Sequence, residues 1–529
     1  MTRQFDLNDD SLVVIIGSGA GGGTLANELA QKGIRSVVLE AGKRFTMEDI
    51  ENDEWGMFNK ISWLDQRNLV GPSRLAEDFP NLPAWIVKGV GGSTIHWAGV
   101  AMRFQEHEFK MKSLNGAIAG ANVEDWPLSL QDLEPYYALA EKKMGVCGTE
   151  ATGMPFHDKS THYRVIEAGA NRIGARCEQA HLAINTVPFD GRSPCQVTGF
   201  CMQGCRFGAK WSTMYAEIPK AEATGNVEVR PNCMALRIEH DRDGKATGVL
   251  YVDADADGVE QFQRARIVAV AANSIESPRL LLNSASSLFP DGLANSSGQV
   301  GRNYMTHVTG GSYAEFDHPV HMERSTVVPG IVTEWEDNDP ARGHVGGYEL
   351  EALHLGLPFM SAFLDPGAAN GWGRKFAQSM ENYSRMAGFW ICGEDLALES
   401  NRITLHPTER DPYGLPVPVV HKADHDNDTR MRNHAYRMSK ELFTAIGAHH
   451  VNDLPPYPAS HNMGTNRMHA NAQDGVVNQW GQSHDIDNLF ISDGSQFTSS
   501  GTENPTLTIV ALTIRQADYI AERMSRGEL

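Results

Sequence analysis

The run Leu12-Val13-Val14-Ile15-Ile16 passes without a break into Gly17-Ser18-Gly19-Ala20-Gly21-Gly22. Few segments constrain a fold as tightly. In this pattern Gly17 allows a tight turn, Gly19 lets the main chain approach a pyrophosphate, and Gly22 lets the following helix pack on the strand. The spacing predicts that helix through Leu25, Leu29 and Ala30, with its N-terminal amides and positive dipole end turned toward phosphates. Ser36-Val37-Val38-Leu39 reads as the second strand, and Glu40 stands at its end, about twenty residues on, where an acid binds ribose hydroxyls. Strand, glycine turn, helix, strand and acid in this order point to a nucleotide cofactor.

A second segment near the other end has the same form. Asn488-Leu489-Phe490-Ile491-Ser492 runs into Asp493-Gly494-Ser495, and Thr502-Glu503-Asn504-Pro505-Thr506 opens a helix. A cofactor gripped from both ends of the chain implies one interwoven domain and redox chemistry. With 529 residues the chain can also hold a second domain. A formal net charge of −20 argues against nucleic acid as a partner. The longest apolar runs are strand-sized, so no membrane span of its own is expected. The polar start Met1-Thr2-Arg3-Gln4 lacks the apolar core of a signal peptide. The expected location is cytoplasmic, with export in company with a partner as the alternative.

Between the two ends, Val87-Lys88-Gly89-Val90-Gly91-Gly92-Ser93-Thr94 is another glycine-rich stretch, and Ser129 caps a helix carrying Leu133, Tyr137, Ala140 and Met144. Val227 to Arg230 and Arg237 to His240 read as antiparallel strands, with Asp243-Gly244 turning into a further strand at 247–252. Ile267 to Ala272 reads as a strand buried on both faces, and a helix is expected to start at Ser277-Pro278 with proline in its first turn. From about 310 to 460 aromatics, histidines, prolines and acids mix, which marks a candidate substrate domain; Tyr348, Glu349, His354, Trp372 and Trp390 are candidates to line a sugar pocket. The fold class is α/β: a Rossmann-like domain from 1–45, 80–310 and 461–529, and a substrate-binding α+β part with an antiparallel sheet from 46–79, which includes Trp55, Phe58 and Trp63, and 311–460.

Taken together these segments resemble the glucose–methanol–choline (GMC) oxidoreductase family. The resemblance rests on residues 17–22 and 89–94, on Ala272 to Leu282, on Val300-Gly301-Arg302-Asn303-Tyr304-Met305-Thr306-His307, on His461-Asn462-Met463-Gly464, and on 493–506. Within the family the chain is most similar to large subunits of FAD-dependent glucose, fructose and gluconate dehydrogenases, through Asp190 to Cys195 and Cys201 to Ala209, with pyranose-oxidase-like features. The resemblance implies FAD and the oxidation of an alcohol CH–OH, often on a sugar or polyol, by hydride transfer to flavin N5. His461 falls where the family has its active-site base, a role suited to an imidazole with a pKa near neutrality. Asn504 falls at the neighbouring position and can donate to a developing alkoxide. The cofactor-binding set is Gly17, Gly19, Gly22, Glu40, Gly92, Ser93, His96, Met234, Asp493, Gly494, Pro505 and Thr506. Asp493-Gly494 is expected on the flavin's sugar-like chain, and the helix start at 504–506 beside the flavin's pyrimidine side.

Two points stay open on the sequence. His96, followed by Trp97, resembles the flavin-linked histidine of some relatives, so FAD is either covalently attached there or packed against the ring. Cys195, Cys201 and Cys205 stand where related dehydrogenases hold a 3Fe-4S cluster, but Gln196 replaces the cysteine that follows the first one in those relatives. A disulfide or, more weakly, zinc are the other readings of the three thiols. Cys147, Cys177, Cys233 and Cys392 read as small buried apolar residues; His307, His469 and His484 read as structural. The electron acceptor is a quinone, a dye or a cytochrome, with a small subunit as a further partner. The alternatives are an oxidase that makes hydrogen peroxide and a non-catalytic flavoprotein subunit.

Overall fold

The computed structural model describes residues 3–54, 56, 68–256, 258–354, 372–458 and 460–529. Trp55, Phe58 and Trp63 lie outside the described residues. Five parallel strands form the central sheet, in the order Leu489–Ile491, Ile267–Val270, Val13–Ile16, Ser36–Leu39 and Val227–Arg230. The N-terminal and C-terminal strands therefore flank one strand, Ile267–Val270, in register Val13 to Ile267 and Leu489 to Val268. Side chains alternate across the sheet. Val13, Ile15, Val38 and Phe490 enter one core with Leu25 and Leu29; Val14, Ile16, Val37 and Ile491 enter another with Leu133 and Tyr137. A sheet covered on both faces explains the unbroken apolar runs in its sequence.

Two sequence readings change here. Val227–Arg230 joins this parallel sheet beside Ser36–Leu39, whereas Cys233–His240 starts a separate antiparallel sheet with Ala246–Asp253 and Val259–Arg264. The two strands are close in sequence, but the chain changes sheet between them. The helix near Pro278 begins earlier, spanning Asn273–Asn283. Proline inside a helix removes the donor that would reach the carbonyl four residues back. That carbonyl, on Ser274, instead accepts from Thr465 Oγ1 at 2.7 Å. The proline is thus tolerated because a neighbouring segment, four residues after His461, supplies the missing hydrogen bond. The Ser129 cap is present, with Ser129 Oγ accepting from the Asp132 amide ahead of Leu130–Met144.

The second sheet is antiparallel, in the order His450–Leu454, Gly311–Glu315, Met386–Glu394, Tyr348–Ala352, Gly330–Val332 and Cys177–Gln179, with His307–Val308 added beside Met386–Glu394. Its outer face, with Leu350, Phe389 and Ile391, packs under the helices Thr161–Ile173 and Asp426–Ala445 through Ile166, Leu442 and Phe443. Residues 161–179 therefore pack with this sheet and not with the cofactor half in which 80–310 places them. Nothing in their composition announces the switch; it comes from the apolar stripe of one amphipathic helix. The inner face, with Glu349, Glu351, Trp390 and Cys392 in paired register, forms the roof over the parallel sheet's carboxyl ends. No helix among the described residues is long and apolar enough to cross a membrane.

Candidate active site

A single cavity of about 960 Å3 runs from the glycine turn to the roof. Its floor is made by backbone packed on backbone. A Cβ on Gly17, which has φ +97°, would lie 2.4 Å from the carbonyl oxygen of Ala271. One on Gly21 would lie 1.5 Å from that of Ser492, and one on Gly22 2.1 Å from that of Gly17. Those three glycines are required by the fold itself. Gly19 is different: the nearest atom to its Cβ position is Gly92 Cα at 3.9 Å, and Gly19 and Gly92 both line the cavity. Space kept free at Gly19 is space for a ligand. Gly19 also precedes the helix Ala20–Gln31, which has no side-chain cap, so the first-turn amides are left to the cavity. The helix Thr506–Ser525 likewise starts uncapped, with Pro505 and Thr506 on the cavity wall.

Glu40, Ser93, His96, Met234, Asp493 and Gly494 line the same cavity. Gly22 lies behind the wall, in the packing role its position demands. Glu40 is buried, and its Oε2 accepts from Ser18 Oγ at 2.6 Å and from the Ser18 amide at 3.1 Å, while Oε1 accepts from the Gly42 amide at 2.9 Å. One acceptor position on Oε1 is left for a ribose hydroxyl. Burial pushes this carboxyl above its ordinary range. Asp493 differs from the sequence reading. Its Oδ1 accepts from the amide and hydroxyl of Ser495, and its Oδ2 from the Asn273 amide and the Ser277 hydroxyl. The carboxylate ties two segments of the floor together, while Asp493 and Gly494 stay on the cavity wall. A two-turn glycine floor, two uncapped helix starts and an acid at the end of the second strand fit a dinucleotide such as FAD.

His461 stands under the roof, reached by a segment paired backbone to backbone with Met305 through Met463. His461 Nδ1 lies 2.9 Å from Nδ1 of the buried His307, the rings at 85°. His307 Nε2 lies 3.4 Å from the Ser500 carbonyl, to which it can only donate. His307 Nδ1 is then the acceptor, its one lone pair facing both His461 Nδ1 and Cys392 Sγ, the latter 2.7 Å away. His461 must carry its proton on Nδ1, leaving Nε2 basic. Asn504 Nδ2 donates to that Nε2 at 3.2 Å. Burial, and secondarily His307, hold the His461 pKa well below the usual imidazole value, and burial holds His307 down to about 4. The pair is neutral at physiological pH, as a proton acceptor must be.

His307 was the residue sequence reasoning passed over, and Cys392 was read as mere filling. Tyr348 turns to the outer face, its hydroxyl 2.7 Å from His434 Nδ1, and Trp372 is exposed. His354 and Trp390 do line the cavity, with Glu351; Glu349 is buried behind it. The signal was present in Tyr348-Glu349-Leu350-Glu351-Ala352: acids two residues apart in a strand buried throughout.

Cys195, Cys201 and Cys205 are partly buried on one loop, packed in a small core beside the cavity. Sγ of Cys195 accepts from the Val197 amide at 3.3 Å and Sγ of Cys205 from the Lys210 amide at 3.5 Å. Two of the three sulfurs thus accept N–H···S bonds, while burial raises the Cys195 and Cys201 thiols above their ordinary range. Gln196 offers nothing to the three sulfurs, since its amide donates to the Pro194 carbonyl in the same loop. The loop touches the cavity through Met202, whose carbonyl lies 2.6 Å from His96 Nδ1. Burial lowers the His96 pKa to about 3, so the ring is neutral, protonated on Nδ1 and unprotonated on Nε2.

Comparison with known proteins agrees with this geometry. The N-terminal profile of the GMC oxidoreductases matches residues 6–309, and the C-terminal profile matches 397–513. A 2-methyl-1,2-propanediol dehydrogenase of Mycolicibacterium austroafricanum is 33% identical over 99% of this chain and 97% of its own. The fructose dehydrogenase large subunit of Gluconobacter japonicus is 30% identical over 97% and 98%. Among solved structures, a pyridoxine 4-oxidase shares the fold with a TM-score of 0.66 at 16% identity, covering 97% of this chain and 99% of that one. The chain belongs to the GMC oxidoreductase family and is an FAD-dependent enzyme acting on a CH–OH group.

Proposed function

We propose that the enzyme oxidises a small alcohol, sugar or polyol to the carbonyl, with His461 as the base and a non-nicotinamide acceptor for the electrons. The observation that carries this reading is the convergence of His461 Nε2 and Asn504 Nδ2, 3.2 Å apart, at the roof end of the cofactor cavity. A substrate hydroxyl placed against both gives its proton to Nε2, while the carboxamide N–H steadies the oxygen. His307 acts through His461, by accepting its Nδ1 proton and fixing the ring. FAD, when bound, supplies the two-electron acceptor for the carbon-bound hydrogen. The names of the two relatives, a propanediol dehydrogenase and a fructose dehydrogenase subunit, agree with a CH–OH substrate.

The cysteine loop beside His96 favours a protein or cluster as the electron exit over dioxygen. The three thiols are the residues that would hold a 3Fe-4S cluster, and a small subunit and a cytochrome are the partners that reading brings with it. Neutral His96, with Nε2 unprotonated, is in the form that can attach a flavin covalently.

The test is anaerobic mixing of the purified yellow protein with a panel of diols and sugars. Loss of flavin absorbance with one of them supports the reading; a panel that leaves the flavin oxidised while dithionite bleaches it overturns the reading. Acid precipitation of the same preparation reports covalency, since a linked flavin stays in the pellet. Iron and acid-labile sulfide content reports the cluster.

A further inference from the structure

The inner face of the roof buries two acids that no cation pairs with among the described residues. Glu349 is 0% exposed and Glu351 4%, and being two residues apart on one strand they face the same way. Apart from the proton the two carboxyls share with each other, neither oxygen of Glu349 and not Oε1 of Glu351 has a hydrogen-bond partner among the described residues. Their carboxyl groups and the Cys392 thiol come within 4.8 Å of one another. Glu108, Glu394 and Glu503 are buried as well, and the neighbours that act electrostatically on Glu349 are acids: Glu351, Glu336, Glu108 and Glu178. Elsewhere the fold does pair a buried acid, for Asp395 meets Lys422 Nζ at 2.5 Å with both side chains buried.

Two buried carboxyls side by side keep one proton between them, which leaves one negative charge for the pair. Glu351 is the member on the cavity wall, and it sits against the Asn504 amide. Both neighbours of that amide, Glu351 and His461 Nε2, are acceptors, so its NH2 faces them. Asn504 Oδ1 is then left buried and without a donor among the described residues. Glu351 Oε1 and Asn504 Oδ1 are two orphan acceptors, one of them charged, next to the place where the reacting hydroxyl must lie. An ammonium group offers three donors and a full positive charge to such a pair.

We propose that the substrate is a cationic alcohol, an amino alcohol or amino sugar, with its ammonium held by Glu351 and Asn504 Oδ1 and with Glu349 supporting Glu351 from behind. The amine lies on the carbon next to the reacting one or one further, since a single carboxamide spans the two positions. This rests on His461 being the base.

The experiment uses the FAD-loaded enzyme with dye as acceptor, in buffer containing EDTA, and compares matched pairs: 3-amino-1,2-propanediol with glycerol, and glucosamine with glucose and N-acetylglucosamine. The expected result is a kcat/KM at least about tenfold higher for each free amine. Glu351→Gln is expected to bring that ratio to within about twofold. The N-acetylated sugar removes the charge without any mutation, so the comparison stands even if the variant does not fold. Equal kcat/KM for amines and neutral partners, or a preference that survives in Glu351→Gln, overturns this inference and leaves the base reading intact. Failure of every compound to reduce the flavin overturns both. Activity that needs Mg2+, Ca2+ or Zn2+ and shows no amine preference assigns the acids to a metal ion and overturns the ammonium.

Discussion

The floor and the roof of this cavity are built on opposite terms. The floor is finished without its ligand: glycine backbones press on neighbouring carbonyls, and each oxygen of Asp493 already accepts two hydrogen bonds. The roof is unfinished, with buried carboxyl oxygens and the Asn504 carbonyl awaiting donors. The family profiles match 6–309 and 397–513 and so leave out the interval that holds Glu349, Glu351, Trp390 and Cys392, although they include other parts of the roof such as 161–179 and 426–454. The floor provides what any FAD enzyme of this fold needs. The roof is where we propose that this chain chooses its alcohol.

Four substitutions test that division, beginning with the most damaging. Gly21→Val puts side-chain atoms into the Ser492 carbonyl, 1.5 Å from where a Cβ would stand. It is expected to abolish FAD retention, read as flavin absorbance per protein after gel filtration; a fully loaded variant would break the picture of a rigid floor. His461→Ala should keep its flavin and lose about 10²–10⁴ in turnover, the usual worth of a placed base. His307→Phe should keep its flavin too and lose about 10²-fold, at the low end of that range. It should also change the acid limb of the pH–rate profile, because His307 both accepts the His461 Nδ1 proton and is the second cause of its low pKa. A profile unchanged in shape would reduce His307 to a packing residue.

The mildest substitution reads the roof through stability. The Glu351 carboxyl is raised from 4.5 to about 7, first by burial. A raised folded-state pKa means stability that is fully present below about pH 4.5 and is lost as pH climbs through 7. Glu351→Gln removes that dependence. Its melting temperature relative to the native protein should therefore be higher at pH 8 than at pH 5. A difference independent of pH would mean that the roof acids are neutralised in the free protein.

How much of this was legible in the sequence follows the same division. The glycine spacing, the acid at position 40 and the helix start at 504–506 are local requirements of backbone geometry, so residues 17–22 and 493–506 could be read directly. That both ends of the chain serve one cofactor domain followed from those motifs together, but the strand Ile267–Val270 between the two terminal strands did not. The roof was not legible in that way. Its strands are short and widely spaced, its edge strand Cys177–Gln179 comes from far upstream, and its outer helix at 161–173 belongs to it only through packing. Glu349 and Glu351 were visible as residues but not as a pair facing His461, because strand pairing decides which face is inward. His307 was hidden for a similar reason. Its importance comes from a contact across 154 positions in the chain.

The strand Ile267–Val270 receives Val13–Ile16 on one side and Leu489–Ile491 on the other. During synthesis, then, the first grip on the nucleotide emerges hundreds of residues before the second. While the ribosome is still translating, the nascent chain holds half a binding site with an exposed sheet edge, and domains with such distant pairings fold slowly and are prone to aggregate. The cofactor site is therefore completed only by a pairing made across most of the chain's length.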